Sequence, residues 1–124
     1  MSPAPDSRPE RSFLSVVIPV YNEAGNLPAL HDRLTAALSP LPCRYEILYV
    51  DDGSRDGSVA CLRDLVARDR HVRVCEFSRN FGQTAALAAG IDLAGGDVIV
   101  LMDADLQNDP ADIPMLLDRL DQGF

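Results

Sequence analysis

Two carboxylates one residue apart, Asp103 and Asp105, stand directly after the apolar run Val98–Met102. In an extended segment, residues two apart project to the same side, so this pair can face one point. Oxygen ligands of this kind suit Mg²⁺ or Mn²⁺, ions commonly held by one or two carboxylates plus the phosphates of a substrate. A divalent ion there would stabilise, as a Lewis acid, the charge that gathers on a departing diphosphate. An isolated Asp-x-Asp reads as a solvated acidic turn ahead of a helix. Its place at the end of a buried strand is what favours the functional reading.

Other acids fall at equivalent places. Asp51 closes the run Tyr45–Val50, where an acid can accept hydrogen bonds from ribose hydroxyls or a base edge. Asp52-Gly53-Ser54 reads as a turn, with Asp52 structural. After the first apolar run, Tyr21 offers a flat face to a base and Glu23 another acceptor. Glu23, Asp51, Asp52, Asp103 and Asp105 would repel one another if gathered, and that crowding is costly unless a cation or hydrogen-bond donors compensate it.

The elements that must position these residues are legible from periodicity. Phe13–Val20, Tyr45–Val50, Val72–Phe77 and Val98–Met102 are near-continuous apolar, β-branched runs, the pattern of parallel strands buried on both faces. Leu27, Leu30, Leu34 and Leu38 recur at helical spacing, with Asn26 as cap and Pro28 in the first turn. Val59, Leu62 and Val66 repeat that spacing after Asp56, a second cap candidate. Ala85–Leu93 is Ala-rich and apolar around most of its circumference, which predicts close packing on the sheet. The last helix has Asp109 as cap, Pro110 at its first position, Ile113, Leu116, Leu117 and Leu120 on one face, and Gly123 at the stop. The order βαβαβαβα predicts an α/β domain over residues 13–124, with a mostly parallel sheet and right-handed crossovers. Residues 1–12, rich in Pro, Ser and charge, read as a disordered leader. In such sheets ligands bind beyond the carboxyl ends of the strands, where the acids above are found.

Composition removes several classes. The 124 residues carry 19 acidic and 11 basic side chains, for a net charge of -8, and every basic residue is Arg. Without a basic stripe, nucleic acid is excluded as a partner. Without Lys no P-loop is possible, and neither G-x-G-x-x-G after the first strand nor G-x-S-x-G occurs. Cys43, Cys61 and Cys75 lack zinc spacing and read as reduced core residues of a cytoplasmic protein. No apolar run approaches the ~20 residues of a membrane helix, and the N-terminus lacks the apolar stretch of a secretory signal. Residues alone therefore point to a metal-dependent binder of a phosphorylated, nucleotide-like ligand.

Three segments narrow this. Val16–Glu23 (VVIPVYNE), Val50–Ser58 (VDDGSRDGS) and Gly96–Asp105 (GDVIVLMDAD) resemble, in order and spacing, the signature segments of family 2 glycosyltransferases of the GT-A, Rossmann-like fold. Ser78–Gly90 and Asp103–Pro110 are similar to the branch that glycosylates polyprenyl phosphates, dolichol or undecaprenyl. The resemblance implies an inverting transfer from a UDP- or GDP-sugar to a lipid phosphate, aided by Mg²⁺ or Mn²⁺, at the cytoplasmic face of a membrane. It assigns Pro19, Tyr21, Glu23 and Asp51 to the nucleoside. Asp103 and Asp105, with Ala104 between them, fall to diphosphate and metal, Gln107 to the neighbourhood of metal or sugar, and Arg79 and Gly82 to the donor pocket. Asp103, Asp105 and Gln107 are thereby the catalytic candidates.

A phosphate acceptor is already ionised at neutral pH and needs no strong general base, whereas a sugar hydroxyl would need one. Polysaccharide or other acceptors, and a truncated nucleotide-binding module without turnover, are the alternatives. A nucleotidyltransferase would carry a Gly-rich loop with a basic residue where Pro-Val-Tyr-Asn-Glu stands. Members of the family continue past the Asp-x-Asp helix, so the chain is expected to be the donor-binding half. Its fourth strand is then expected to leave an open sheet edge that favours self-association and marginal stability.

Overall fold

The computed structural model describes residues 13–106 and 108–121; the leader over residues 1–12, the helix stop at Gly123 and the candidate Gln107 lie outside them. Strand β1 (Phe13–Val20) runs through the centre of a four-stranded sheet. β2 (Arg44–Asp51) and then β3 (Val72–Glu76) lie on one side of it, and β4 (Val98–Leu101) on the other. All pairings are parallel, with Val17 opposite Leu48 on β2 and Leu101 on β4. The helices α1 (Leu27–Leu38), α2 (Ser58–Arg68) and α3 (Gln83–Leu93) make the crossovers. A 3₁₀ turn at Pro110–Asp112 leads into α4 (Ile113–Asp121).

Alternation along β1 divides the interior in two. Leu14, Val16, Ile18 and Val20 face one core with the leucines of α1, Leu62 and Leu65 of α2, and Ile113 and Leu117 of α4. Val17 faces the other with Leu48, Val50 and Ala86 of α3. The approach of α3 is as close as its composition predicts. A Cβ at Gly90 would penetrate the Val17 side chain, so only glycine lets the helix lie this near the sheet.

Burial on both faces is true of β1 and β2 but not of the outer strands. On β4, Ile99 and Leu101 are exposed, because α3 packs over β1 and β2. The outer edge of β4 has no strand neighbour among the described residues. Three helix details also differ from expectation. In α2 the buried positions are Ser58, Leu62 and Leu65, while Val66 is exposed. In α4, Leu116 and Leu120 are exposed beside the buried Ile113 and Leu117, since α4 packs mainly on α1 and its own 3₁₀ turn. The cysteines are only half-buried against the two cores.

Caps are mixed. Asp109 accepts the Ala111 N–H at 2.9 Å, as its position predicts. Gly57, not the expected Asp56, is the N-cap of α2 and makes no side-chain cap bond; Asp56, one residue earlier, accepts the Ser58 N–H at 2.8 Å. Asn26 occupies the N-cap of α1 without capping it; its amide instead donates to Glu23 Oε2 at 2.7 Å.

Candidate functional site

The chain runs from β1 outward to β2 and β3, then returns to the far side of β1 for β4, so the strand order reverses between β1 and β4. At the carboxyl ends of those two strands lies an open pocket of about 190 Å³, lined by Pro19, Val20, Tyr21, Glu23, Asp52, Gln83, Asp103, Ala104 and Asp105. This is where an open α/β sheet has room for a ligand, since the crossovers on either side lead away in opposite directions.

The β1 side of the pocket is rigid because two loops are zipped together. Asn22 adopts a left-handed φ of 54°, its N–H donates to Ser54 Oγ at 2.8 Å, and its Oδ1 accepts the Arg55 N–H at 2.8 Å. The Glu23 N–H donates to Ser58 Oγ at 2.9 Å. Asp56 accepts from Ala24 N at 3.3 Å, and the Ser58 hydroxyl holds its carboxyl below the ordinary value. The Ser-Arg-Asp-Gly-Ser segment after β2 thus serves as a clamp on the β1–α1 loop, and Tyr21 is left 44% exposed at the pocket.

The two adjacent aspartates part company. Asp51 ends β2, is buried, and accepts the Ser54 N–H on Oδ2 at 3.0 Å. Its Oδ1 is buried with no hydrogen-bond partner among the described residues. Asp52 turns to the α3 side, accepting from Asn80 Nδ2 at 3.0 Å, Phe81 N at 2.7 Å and Gly82 N at 3.0 Å. Gly53, at a φ of 74°, allows this close approach, because a Cβ there would collide with the backbone of Arg79 and Asn80.

On the β4 side the Asp-x-Asp segment is a turn rather than a strand. β4 ends at Leu101, and Leu106 closes the turn with a φ of 66°. The pleat of an extended strand therefore does not align the two carboxylates. Ala104 instead anchors the turn in the core, leaving Asp103 half-buried and Asp105 exposed on the same pocket. Asp103 N donates to Asn108 Oδ1 at 3.2 Å, and Asp103 Oδ1 accepts from Gln83 Nε2 at 3.1 Å.

Of the residues singled out in the sequence, Pro19, Tyr21, Glu23, Asp103, Ala104 and Asp105 meet in this pocket; Asp51, Arg79 and Gly82 do not line it. The Arg79 guanidinium lies over the Phe81 ring, 4.6 Å from its centroid, and the Gly82 N–H is engaged by Asp52. Sequence reasoning missed Val20 and Gln83, and it read Asp52 as a turn residue without placing it at the pocket, which it also lines. The position of Gln83 at the first turn of a helix that follows a strand is the signal that could have found it.

Known proteins resemble the chain as follows. The model of a family described as glycosyl transferase family 2 matches residues 15–124. An undecaprenyl-phosphate 4-deoxy-4-formamido-L-arabinose transferase of Aeromonas hydrophila is 48% identical over 113 residues, 90% of this chain and 35% of that protein. A dodecaprenyl-phosphate galacturonate synthase of Rhizobium johnstonii is 46% identical over 110 residues, 88% of this chain and 32% of that one. The chain spans about a third of the length of these curated relatives. Among solved structures, a mannosyltransferase of Pyrobaculum calidifontis in complex with GDP-Man and Mn²⁺ superposes with a TM-score of 0.70 at 27% identity, over 82% of this chain and 30% of that one. Residues 1–349 of S. aureus TarS, in complex with UDP-GlcNAc, superpose with a TM-score of 0.73 at 19% identity, over 88% of this chain and 31% of that one, a likeness of fold.

Proposed function

The chain belongs to glycosyl transferase family 2, and on that premise we propose that it binds the UDP- or GDP-sugar donor of an inverting transfer to a polyprenyl phosphate. The observation that carries this reading is the pocket at the strand-order reversal, where Tyr21 and Glu23 from one strand end meet Asp103 and Asp105 from another. An aromatic face and hydrogen-bond acceptors on one side suit a nucleoside. A carboxylate pair on the other suits a cation that carries diphosphate. Asp51 does not line the pocket, but its Oδ1, buried without a hydrogen-bond partner among the described residues, supports the nucleoside assignment, since a ribose or base donor that reached the end of β2 would satisfy it. The names of the relatives, with prenyl phosphates in both, favour the lipid-phosphate acceptor.

The donor set fits a divalent cation that shares its ligands with substrate. Among the described residues no three His, Cys, Asp or Glu side chains gather to enclose a metal. Two carboxylates completed by diphosphate oxygens match the habit of Mg²⁺ and Mn²⁺. Asp103 and Asp105 would hold the ion, with Gln107 near it, and its charge would offset that of the leaving diphosphate. In the transfer itself, an oxygen of the acceptor phosphate bonds to the anomeric carbon from the face opposite the diphosphate as the carbon–diphosphate bond breaks. The nucleoside diphosphate departs and the anomeric configuration inverts. The protein's tasks are alignment and charge stabilisation rather than proton removal.

Thermal-shift titration with UDP, GDP and NAD, each with and without Mn²⁺, tests the reading. Ligand at about 100 times its dissociation constant adds roughly 2.7 kcal/mol, a rise of several degrees. A Mn²⁺-dependent rise with UDP or GDP, lost in Asp105→Asn, is expected and identifies the base. A folded chain that responds to neither nucleotide overturns the donor site.

A further inference from the structure

Asp52 and Gln83 line the pocket, yet neither has a role in the reading above, and the hydrogen bonds they make form one continuous path. The Asp52 side chain, on a residue only 3% exposed, receives donors from three successive residues, Asn80, Phe81 and Gly82. Those are the last three residues before α3, whose first residue is Gln83. The Gln83 amide then reaches across the pocket to Asp103 Oδ1 at 3.1 Å. No hydrogen bond within α3 fixes where its N-terminus sits, because the first N–H groups of a helix have no intrahelical partner. Asp52 supplies that fixed point, and Gly53 lets the two backbones touch.

We propose that Asp52 and Gln83 are positioning residues: Asp52 pins the β3–α3 loop so that the Gln83 amide holds Asp103 in the orientation that receives a divalent cation. The amide occupies one carboxylate oxygen as a neutral donor and leaves the other oxygen's lone pairs for the ion. It does so without adding charge to a site already crowded with acids. A carboxylate held in place binds an ion more tightly than one that must first be ordered, and supporting residues of this kind typically change metal affinity 10–100-fold. This inference rests on the assignment of Asp103 to the cation.

The test is the gain in UDP or GDP affinity on adding Mn²⁺, measured by calorimetry on the unmodified chain, Gln83→Ala, Asp52→Asn and the double variant. Gln83 is exposed, so Gln83→Ala keeps the fold even if Asp52→Asn does not. The gain should fall about tenfold or more in each single variant, and the double variant should lose no more than the worse single one, because both act along one path. A metal-free readout accompanies it: Asp52→Asn should weaken hydrogen-exchange protection of the Phe81 and Gly82 amides, and Gln83→Ala should leave that protection intact. Gln83→Ala with an undiminished Mn²⁺ gain overturns the positioning role alone. Additive losses in the double variant overturn the shared path. An unmodified chain that binds nucleotide with no Mn²⁺ gain overturns both this inference and the cation assignment.

Discussion

The Ser54 N–H donates to Asp51 Oδ2 at 3.0 Å, while Oδ1 of the same carboxylate is buried with no partner among the described residues. A buried polar atom left unsatisfied costs stability, and a charged group costs more than a neutral one. Asp51→Asn is therefore expected to leave the melting temperature of the ligand-free chain unchanged or higher. The same change should weaken UDP or GDP binding about 10-fold or more, the worth of a hydrogen bond to a charged group. Undiminished affinity for both nucleotides in calorimetry would remove Asp51 from the donor site.

Gly90→Ala sets two effects against each other. Alanine is favoured over glycine in a helix by about 1 kcal/mol, but its Cβ would enter the Val17 side chain. Val17, Leu48, Val50 and Ala86 are all buried, so that cluster has little room to yield. Overpacking costs about 1–3 kcal/mol, and a net loss of stability is expected in urea denaturation. Gly25→Ala, where nothing lies within 4 Å of the new atom, is the control.

Acid should destabilise the fold through two carboxyls. Burial pushes Glu46 up, but the Ser15 hydroxyl, the Arg73 guanidinium and the Gly95 N–H outweigh it and hold the group below its ordinary 4.5. Asp69 is likewise raised by burial and lowered further by His71 and His31, to lie below its ordinary 3.8. A folded pKa below the unfolded one gives stability that is complete above the unfolded value and lost as pH falls through the folded one. Stability is expected to decline below about pH 4.5. Glu46→Gln should lower it by about 1–3 kcal/mol at neutral pH and flatten part of the acid decline. An unchanged slope in melts from pH 6 to pH 3 would count against Glu46.

Tyr49 is fully buried, and its hydroxyl lies 2.8 Å from His31 Nδ1, whose ring partner Nε2 lies 2.9 Å from Asp69 Oδ2. Tyr49→Phe deletes one end of this chain and strands the histidine nitrogen, at a cost of about 1–3 kcal/mol. Replacing both partners of the Tyr49–His31 bond, as His31→Leu with Tyr49→Phe, should cost less than the two single changes added together. Strict additivity in chemical denaturation would deny the coupling.

The sequence by itself determined the element order, the ends of β1, β2 and β3 to within a residue or so, and the fact that acids stand where strands finish. These are local properties, carried by the period of the apolar residues and by Pro, Gly and Asp at boundaries. It also implied that Tyr21, Glu23, Asp103 and Asp105 lie near one another, and they line one pocket, because parallel strands bring all their carboxyl ends to one end of the sheet. What only the tertiary structure decided is how neighbours in sequence divide their work. The sequence separates Asp51, a candidate ligand acceptor, from Asp52, a structural turn residue, but does not say which elements each one meets; successive residues leaving a strand face opposite sides of the sheet. One therefore meets the turn into α2 and the other the start of α3. The contact of Gln83 with Asp103 depends on where a separate helix docks, and the exposure of Ile99 and Leu101 on how far α3 reaches across the sheet. Both follow from packing between distant segments, which no window of sequence contains.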